Sequence, residues 1–404
     1  MTAVPSRRDR KPEPTSKGRL ASLDGLRGIA ALVVAVHHSL LAIPALAAPY
    51  YVDEAIDRAD VGTWVMTHTP LHLLWAGTEA VYVFFVLSGL VLALSAQSAR
   101  FSWAAYYPQR LVRLYGPVIA AVAFGMVVLL LVPRSAIDGI SVWLRSRPRD
   151  ITATGLVHDL TLVRGVSGLV SPLWSLKWEV LFSLALPAYL LVLTRLRGLW
   201  ALKWVAVFIA TAAGSLLGLG WLSYLPMFAA GVLLAGQLEL LTARVAGLTR
   251  AGTTWLVVLT LALLSSHWVL LAISPPGWVL DLTMPLGLVG ATGLVLLVAG
   301  VPAARIAFSA PLWRWLGLYS FSLYLVHEPI VVACGYLVGP GRGWMVLPIA
   351  LPASLVLAWA FFHAVEKPSH RLSRRLGAAA ARLAGGPAEP TAGEPRSGVR
   401  SSRR

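Results

Sequence analysis

An arginine and a histidine eleven positions apart, Arg27 and His38, bracket the first long apolar run of the chain, Leu23-Asp24-Gly25-Leu26-Arg27-Gly28 continuing through Ile29 to His38. On a helix that spacing is close to three full turns, so the two side chains share a face and stand ~16 Å apart along the axis. With Arg27 at one membrane surface, His38 falls near the middle of a ~30 Å hydrocarbon core. The plain alternative is a snorkelling surface arginine and a histidine bonded to a neighbouring carbonyl. Ionisable groups at such depth are expensive, which favours function. His37, turned about 100° away, is the lesser of the two histidines.

Three further clusters hold residue types able to do chemistry. Arg110 and Arg113, within Tyr106-Tyr107-Pro108-Gln109-Arg110-Leu111-Val112-Arg113-Leu114-Tyr115-Gly116-Pro117, are side by side on a helix. Two guanidinium forks suit a phosphate-bearing donor, and they equally suit ordinary arginines at a cytoplasmic helix end. In Ser171-Pro172-Leu173-Trp174-Ser175-Leu176-Lys177-Trp178-Glu179, Ser175 and Glu179 share one face and Trp174 and Trp178 another. The tryptophans fit an interfacial belt, but a carboxylate inside the membrane needs a partner, and His38 is a chemically sensible one. In Tyr319-Ser320-Phe321-Ser322-Leu323-Tyr324-Leu325-Val326-His327-Glu328-Pro329, Tyr324 and His327 share a face, with His327 again near the midplane. They suit a structural hydrogen-bonded pair or a catalytic one. Ser88-Gly89 reads as a point of close helix approach. No spaced metal signature, phosphate-cradling glycine loop or nucleophile elbow is present in the sequence.

The elements that must position these residues follow from composition. The 404 residues are 57% hydrophobic and only 13% charged, with a mean hydropathy of +0.72. That excludes a soluble domain and predicts an all-α, polytopic transmembrane helical bundle. The net charge of +16 would suit nucleic acid in a soluble protein. Here the basic residues crowd the tails and short loops, as at a cytoplasmic membrane surface, so no nucleic-acid partner is expected. The single cysteine, Cys334, excludes an internal disulfide. Ten spans are predicted: 26–47, 74–96, 111–132, 172–193, 200–218, 221–239, 253–273, 280–300, 315–338 and 344–364. The break between the fifth and sixth, Gly218-Leu219-Gly220, is the weakest. Loop charges place both termini in the cytoplasm. The external loop 133–171 runs against that rule with Arg134, Arg145, Arg147, Arg149 and Arg164, a cluster that would suit an anionic acceptor. Residues 1–19 read as a disordered basic arm, 20–372 as the transmembrane domain, and 373–404 as a basic, Gly/Pro-rich disordered tail with an amphipathic start.

Six motifs in order resemble one family: Leu-Asp-Gly-Leu-Arg-Gly with His38, Phe-Phe-Val-Leu-Ser-Gly, Arg110/Arg113 with Leu114 and Pro117, Trp-Ser-Leu-x-x-Glu, Ser-Leu-Tyr-Leu-x-His-x-Pro, and Glu366-Lys367-Pro368. Along residues 20–372 the chain resembles the acyltransferase-3 family of bacterial integral-membrane acyltransferases. The resemblance implies transfer of an acyl group, often acetyl, from acyl-coenzyme A to a hydroxyl of a glycan, a glycolipid or a glycosylated metabolite such as a macrolide, at the bacterial cytoplasmic membrane. Acyl-coenzyme A would be a co-substrate, with no resident cofactor and no metal. Arg27 and His38 match the family's helix-one pair, Arg110 and Arg113 its donor-linked arginines, and Glu179 its acidic residue. Gln109 and Lys177 depart from the pattern: relatives often carry a further arginine at the first and a small or apolar residue at the second. Lys177 would pair with Glu179 or with an acidic acceptor. No hydrolase-like domain is expected after the tenth helix.

The leading expectation is therefore an O-acyltransferase in which His38 is general base and Glu179 orients it or holds the acceptor. His327 is the next catalytic residue, and an acyl-histidine intermediate is the mechanistic variant. Arg27, Arg110 and Arg113 would bind the donor phosphates, and Trp174, Ser175 and Tyr324 the substrate. The alternative is a transporter or flippase of a glycan or lipid with a proton-coupled His/Glu relay. Against it, no clear repeat symmetry is visible in the sequence.

Overall fold

A computed structural model describes residues 15–51, 60–99, 101–195 and 198–385; the regular elements among them are all helical. The bundle is built from α1 (Thr15–Leu40), α2 (Gly77–Ala96), α3 (Trp103–Leu131), α4 (Leu173–Arg195), α5 (Trp200–Leu216), α6 (Gly220–Ala246), α7 (Arg250–Leu271), α8 (Thr283–Gly300), α9 (Pro311–Val338) and α10 (Val346–Phe361). A π-helical turn, Phe362–Glu366, carries α10 into a basic amphipathic helix, α11 (Lys367–Leu383). Among the described residues nine helices are long and apolar enough to cross a bilayer, and α5 is a shorter apolar helix of 17 residues. The molecule is thus a polytopic helical bundle, as the composition predicts. Successive helices alternate in direction, giving a proximal end, where α1, α3 and α9 begin, and a distal end with the loops 41–76 and 132–172.

Two close, parallel crossings fix the centre. A Cβ on Gly28 of α1 would strike the backbone of Leu316 and Gly317 in α9, and one on Gly317 would strike Asp24. A Cβ on Gly89 of α2 would strike the Phe228 carbonyl of α6, and one on Gly231 would strike that of Val86. Lipid tails are as apolar as the helices, so small residues that let backbones approach closely carry such contacts. The Ser88-Gly89 expectation of close packing is met in this way. On the lipid-facing side of α4, α5 and α6 lies an apolar cleft of about 570 Å³ between Lys203 and Trp221.

Several boundaries differ from the sequence reading. The first span ends at Leu40, because Pro44 begins a separate short helix, Pro44–Ala47. The third starts earlier, at Trp103, where the Ser102 side chain accepts from the Ala105 backbone N–H as an N-cap. The break between α5 and α6 is real and turns on Gly218, with φ +65°. The sixth span runs on to Ala246. Helix α11 continues to Leu383, so residues 373–383, read as the start of the disordered tail, are helical; most of the basic arm (1–14) and residues 386–404 lie outside the described residues.

Candidate active site

The proximal end opens into a cavity of about 430 Å³ lined by Asp24 and Arg27 from α1, Ser88 from α2, Arg110 and Arg113 from α3, Ser175 and Glu179 from α4, Tyr324 from α9, and Glu366. Six of the nine residues picked from the sequence therefore share one chamber: Arg27, Arg110, Arg113, Ser175, Glu179 and Tyr324. Trp174 does not line it; its ring packs against Tyr224 at 5.2 Å and Phe85 at 6.4 Å.

The partner of Glu179 is not His38, as the sequence suggested. Its Oε1 accepts from Arg110 Nη2 and, at 3.0 Å, from Ser88 Oγ, while Arg110 Nε donates to Ser183 Oγ at 2.9 Å. Arg110 and Ser183 lie where α3 and α4 meet, so the carboxylate is satisfied low in the chamber. Lys177 is not its partner either; its Nζ lies 4.8 Å from the centroid of the Trp178 ring. Arg27 Nη2 donates to Asp24 Oδ1 at 3.0 Å and to the Gly317 carbonyl at 3.3 Å, pinning the α1–α9 crossing. Glu366, placed by the π-helical turn, accepts from Ser322 Oγ at 2.6 Å. Three carboxylates thus offset three guanidinium groups. What remains for an anionic ligand is Arg113, which has no hydrogen bond or ion pair among the described residues, and Arg27 Nε, buried without an acceptor.

Along α9 the order is Gly317 beside Arg27, then Tyr324, then His327. The Tyr324 hydroxyl lies 2.7 Å from Ser175 Oγ, and both groups reach the Pro172 carbonyl, at 3.2 and 3.0 Å. This pair closes the inner end of the chamber. One turn further, His327 meets His38: His38 Nδ1 and His327 Nε2 are 2.8 Å apart, and His327 Nδ1 lies 2.8 Å from the Leu323 carbonyl. The hydrogen positions follow by elimination. The Leu323 carbonyl can only accept, so His327 Nδ1 carries a proton, and the neutral ring offers Nε2 as an acceptor. His38 Nδ1 must then donate, which leaves the lone pair of His38 Nε2 available. His38 is followed in α1 only by Ser39 and Leu40, so it stands near the distal end of its helix rather than at mid-length. His37 is turned away, its Nδ1 donating to the Trp75 carbonyl at 3.0 Å.

Sequence reasoning missed the buried Glu328, which accepts from Arg147 Nη1 at 3.2 Å and from the Ser171 backbone N–H at 3.0 Å. A glutamate inside an apolar run was the available signal. It also missed a distal cluster in which the Tyr50 hydroxyl lies 3.1 Å from His72 Nε2 and Trp268 Nε1 donates to Glu79 at 3.2 Å. Burial holds the His72 imidazole well below its ordinary pKa and raises that of Tyr50, so both groups stand neutral. Among the described residues no group of three or more His, Cys, Asp or Glu side chains is placed to hold a metal ion.

Comparison with known proteins bears on the chemistry of this chamber. A family profile described as an acyltransferase domain matches residues 20–363, most of the chain and every residue of the chamber except Glu366. The chain is 28% identical over 396 residues to "Acyltransferase MdmB" of Streptomyces mycarofaciens, covering 88% of this chain and 93% of that one. No solved structure matches. The match spans both helices of the histidine pair and all three chamber arginines, and the chain belongs to the acyltransferase-3 family of membrane acyltransferases.

Proposed function

We propose that this acyltransferase moves an acyl group, acetyl in the simplest case, from acyl-coenzyme A to a hydroxyl of a glycan, a glycolipid or a glycosylated metabolite such as a macrolide. The observation that carries the reading is the sequence of groups along α9. An arginine-lined chamber able to take an anionic donor ends at the Tyr324–Ser175 pair, and one turn of α9 beyond that pair His327 holds a histidine whose Nε2 lone pair is available. His38 Nε2 takes the proton of the acceptor hydroxyl as its oxygen attacks the thioester carbonyl carbon. The carbon–sulfur bond breaks, and the departing thiolate takes that proton back from His38. His327 holds the base in the productive tautomer, the part for which sequence spacing suggests Glu179. Glu179 instead holds Arg110 in the chamber wall, and Arg113 with Arg27 bind the donor phosphates. The basic residues flanking the proximal ends of the helices support a cytoplasmic proximal end and a place in the bacterial cytoplasmic membrane.

The test is thiol release from acetyl-coenzyme A by the purified protein, with and without sugar hydroxyl acceptors. Acceptor-dependent release, lost in His38→Ala, is expected. Movement of an acceptor across a vesicle membrane with no thiol release would overturn the reading in favour of a transporter. Mass spectrometry of surface glycans and secreted metabolites from a deletion strain would then name the acceptor.

A further inference from the structure

One ring at the histidine pair comes from outside the spanning helices. Trp143 belongs to the short helix Val142–Arg145 in the loop between α3 and α4, yet it is 3% exposed and stacks on His38, with ring centroids 5.5 Å apart and planes 18° from parallel. A short loop helix has no intrinsic reason to stay there. Leu144 anchors one side, buried with Trp143 against α9 and its carbonyl accepting from the Tyr336 hydroxyl at 3.2 Å, and Arg147 ties the other. Its Nε donates to the Trp143 carbonyl at 3.2 Å, its guanidinium carbon lies 5.1 Å from the centroid of the Trp143 ring, and its Nη1 donates to Glu328 at 3.2 Å. Glu328 is fully buried and is the residue after His327. Its second oxygen takes the backbone N–H of Ser171, where the same loop re-enters the bundle. One carboxylate therefore ties two points of the loop to the helix that carries His327. A buried ion pair is poor value for stability alone, since two apolar side chains of similar size would hold as well.

We infer that Arg147 and Glu328 are positioning residues, whose ion pair clamps Trp143 over His38 as the distal lid of the reaction chamber. The lid fixes the His38 ring and keeps water from the acyl donor until an acceptor hydroxyl arrives. The inference rests on His38 as the base of the proposed acyl transfer, but the clamp can be measured without any turnover. The probe is diethylpyrocarbonate, which acylates imidazole nitrogens that solvent reaches, and the readout is the rate of His38 modification by peptide mass spectrometry on the full-length protein. His363, exposed near the other end of the bundle, is the internal control.

Arg147→Met leaves a buried carboxylate alone and is prone to misfold, so the deciding variant is the double Arg147→Met/Glu328→Met, which leaves no unpaired charge. Loosening the lid by one or two kcal/mol corresponds to His38 modified about five- to thirty-fold faster, with His363 unchanged. Any rise of less than about five-fold in the double variant overturns the clamp. Thiol release then separates clamp from reaction. In the double variant the acceptor-free rate should rise relative to the acceptor-dependent rate, whereas a merely structural contribution lowers both in parallel and leaves their ratio fixed. Arg147→Lys, which keeps the charge without the fork, should restore part of the wild-type ratio. A wild type that releases no thiol with any acceptor counts against the acyltransferase reading, while the His38 modification rates still decide the clamp.

Discussion

At the scale of single residues, the imidazole tautomers make unequal demands on the three histidines. His38→Ala removes the base and should lower acceptor-dependent thiol release by about 10²–10⁴-fold, with donor binding retained as the control for folding. His37→Ala should keep substantial activity, because that ring faces the Trp75 carbonyl and the Tyr50 hydroxyl rather than His327; near-wild-type turnover by His38→Ala, or loss confined to His37→Ala, would reverse the assignment. His327→Ala should fall between the two, since His38 then loses the acceptor that fixes its tautomer. The arginines also separate. Arg113 has no partner in the chamber wall, so Arg113→Ala should raise the donor KM while leaving the acceptor KM in place. Each charge-assisted phosphate contact is worth roughly 1.5–3 kcal/mol, and lysine at this position should recover only part of it. Arg110→Ala acts differently, stranding the Glu179 carboxylate, so its loss should show in thermal stability as well as in the donor KM. Equal, donor-specific KM effects from the two arginines, with no change in melting temperature, would contradict this division.

Helices were the most legible level of the sequence, because a run of about 20 apolar residues in lipid has few structural options. What their faces meet was less legible. Spacing puts Glu179 on the helix it occupies, α4, but its partner depends on how α3 and α4 meet, which no spacing within one segment encodes. The end of α1 is less legible, because the apolar run continues past Leu40 although Pro44 starts a new helix there, so His38 stands late in its own helix but beside His327 near the middle of α9. Glu328 is not legible as a site residue because its partner, Arg147, comes from a loop whose fold the helical pattern does not report. The glycine pairs are the device that fixes these registers. Replacing Gly231 by valine forces side-chain atoms against the Val86 carbonyl and the Leu90 amide, and α2 and α6 must separate. Such overpacking costs typically 1–3 kcal/mol, and a lowered melting temperature in detergent is the expected result. Gly277→Ala, where a Cβ meets nothing within 4 Å, should leave the melting temperature close to wild type and serves as the control.

For the whole molecule, the two crossings bind α1 to α9 and α2 to α6 in parallel, so both histidines ride on helices whose backbones touch. The proposed acyl transfer leaves both crossings intact and places its motion in the loop between α3 and α4. Topology is open to direct measurement. A reporter fused after residue 385 should prove cytoplasmic, and a cysteine placed at Asp150, exposed in that loop, should label only from outside in a Cys334→Ser background. Labelling solely from inside would invert the assignment of donor and acceptor ends. The short helix α5 has a consequence of a different kind. Its 17 residues span about 25 Å, against about 43 Å for the 29 of α3, and a typical hydrocarbon slab is ~30 Å thick. The lipid around the molecule therefore meets an uneven rim. Beside α5 the bilayer must thin, or lipid must dip into the apolar cleft between Lys203 and Trp221, at a cost of fractions of a kcal/mol per Å of mismatch. The protein carries its own preference for membrane thickness on one flank, so reconstitution into progressively longer-chain lipids should load α5 first and the glycine-locked centre last.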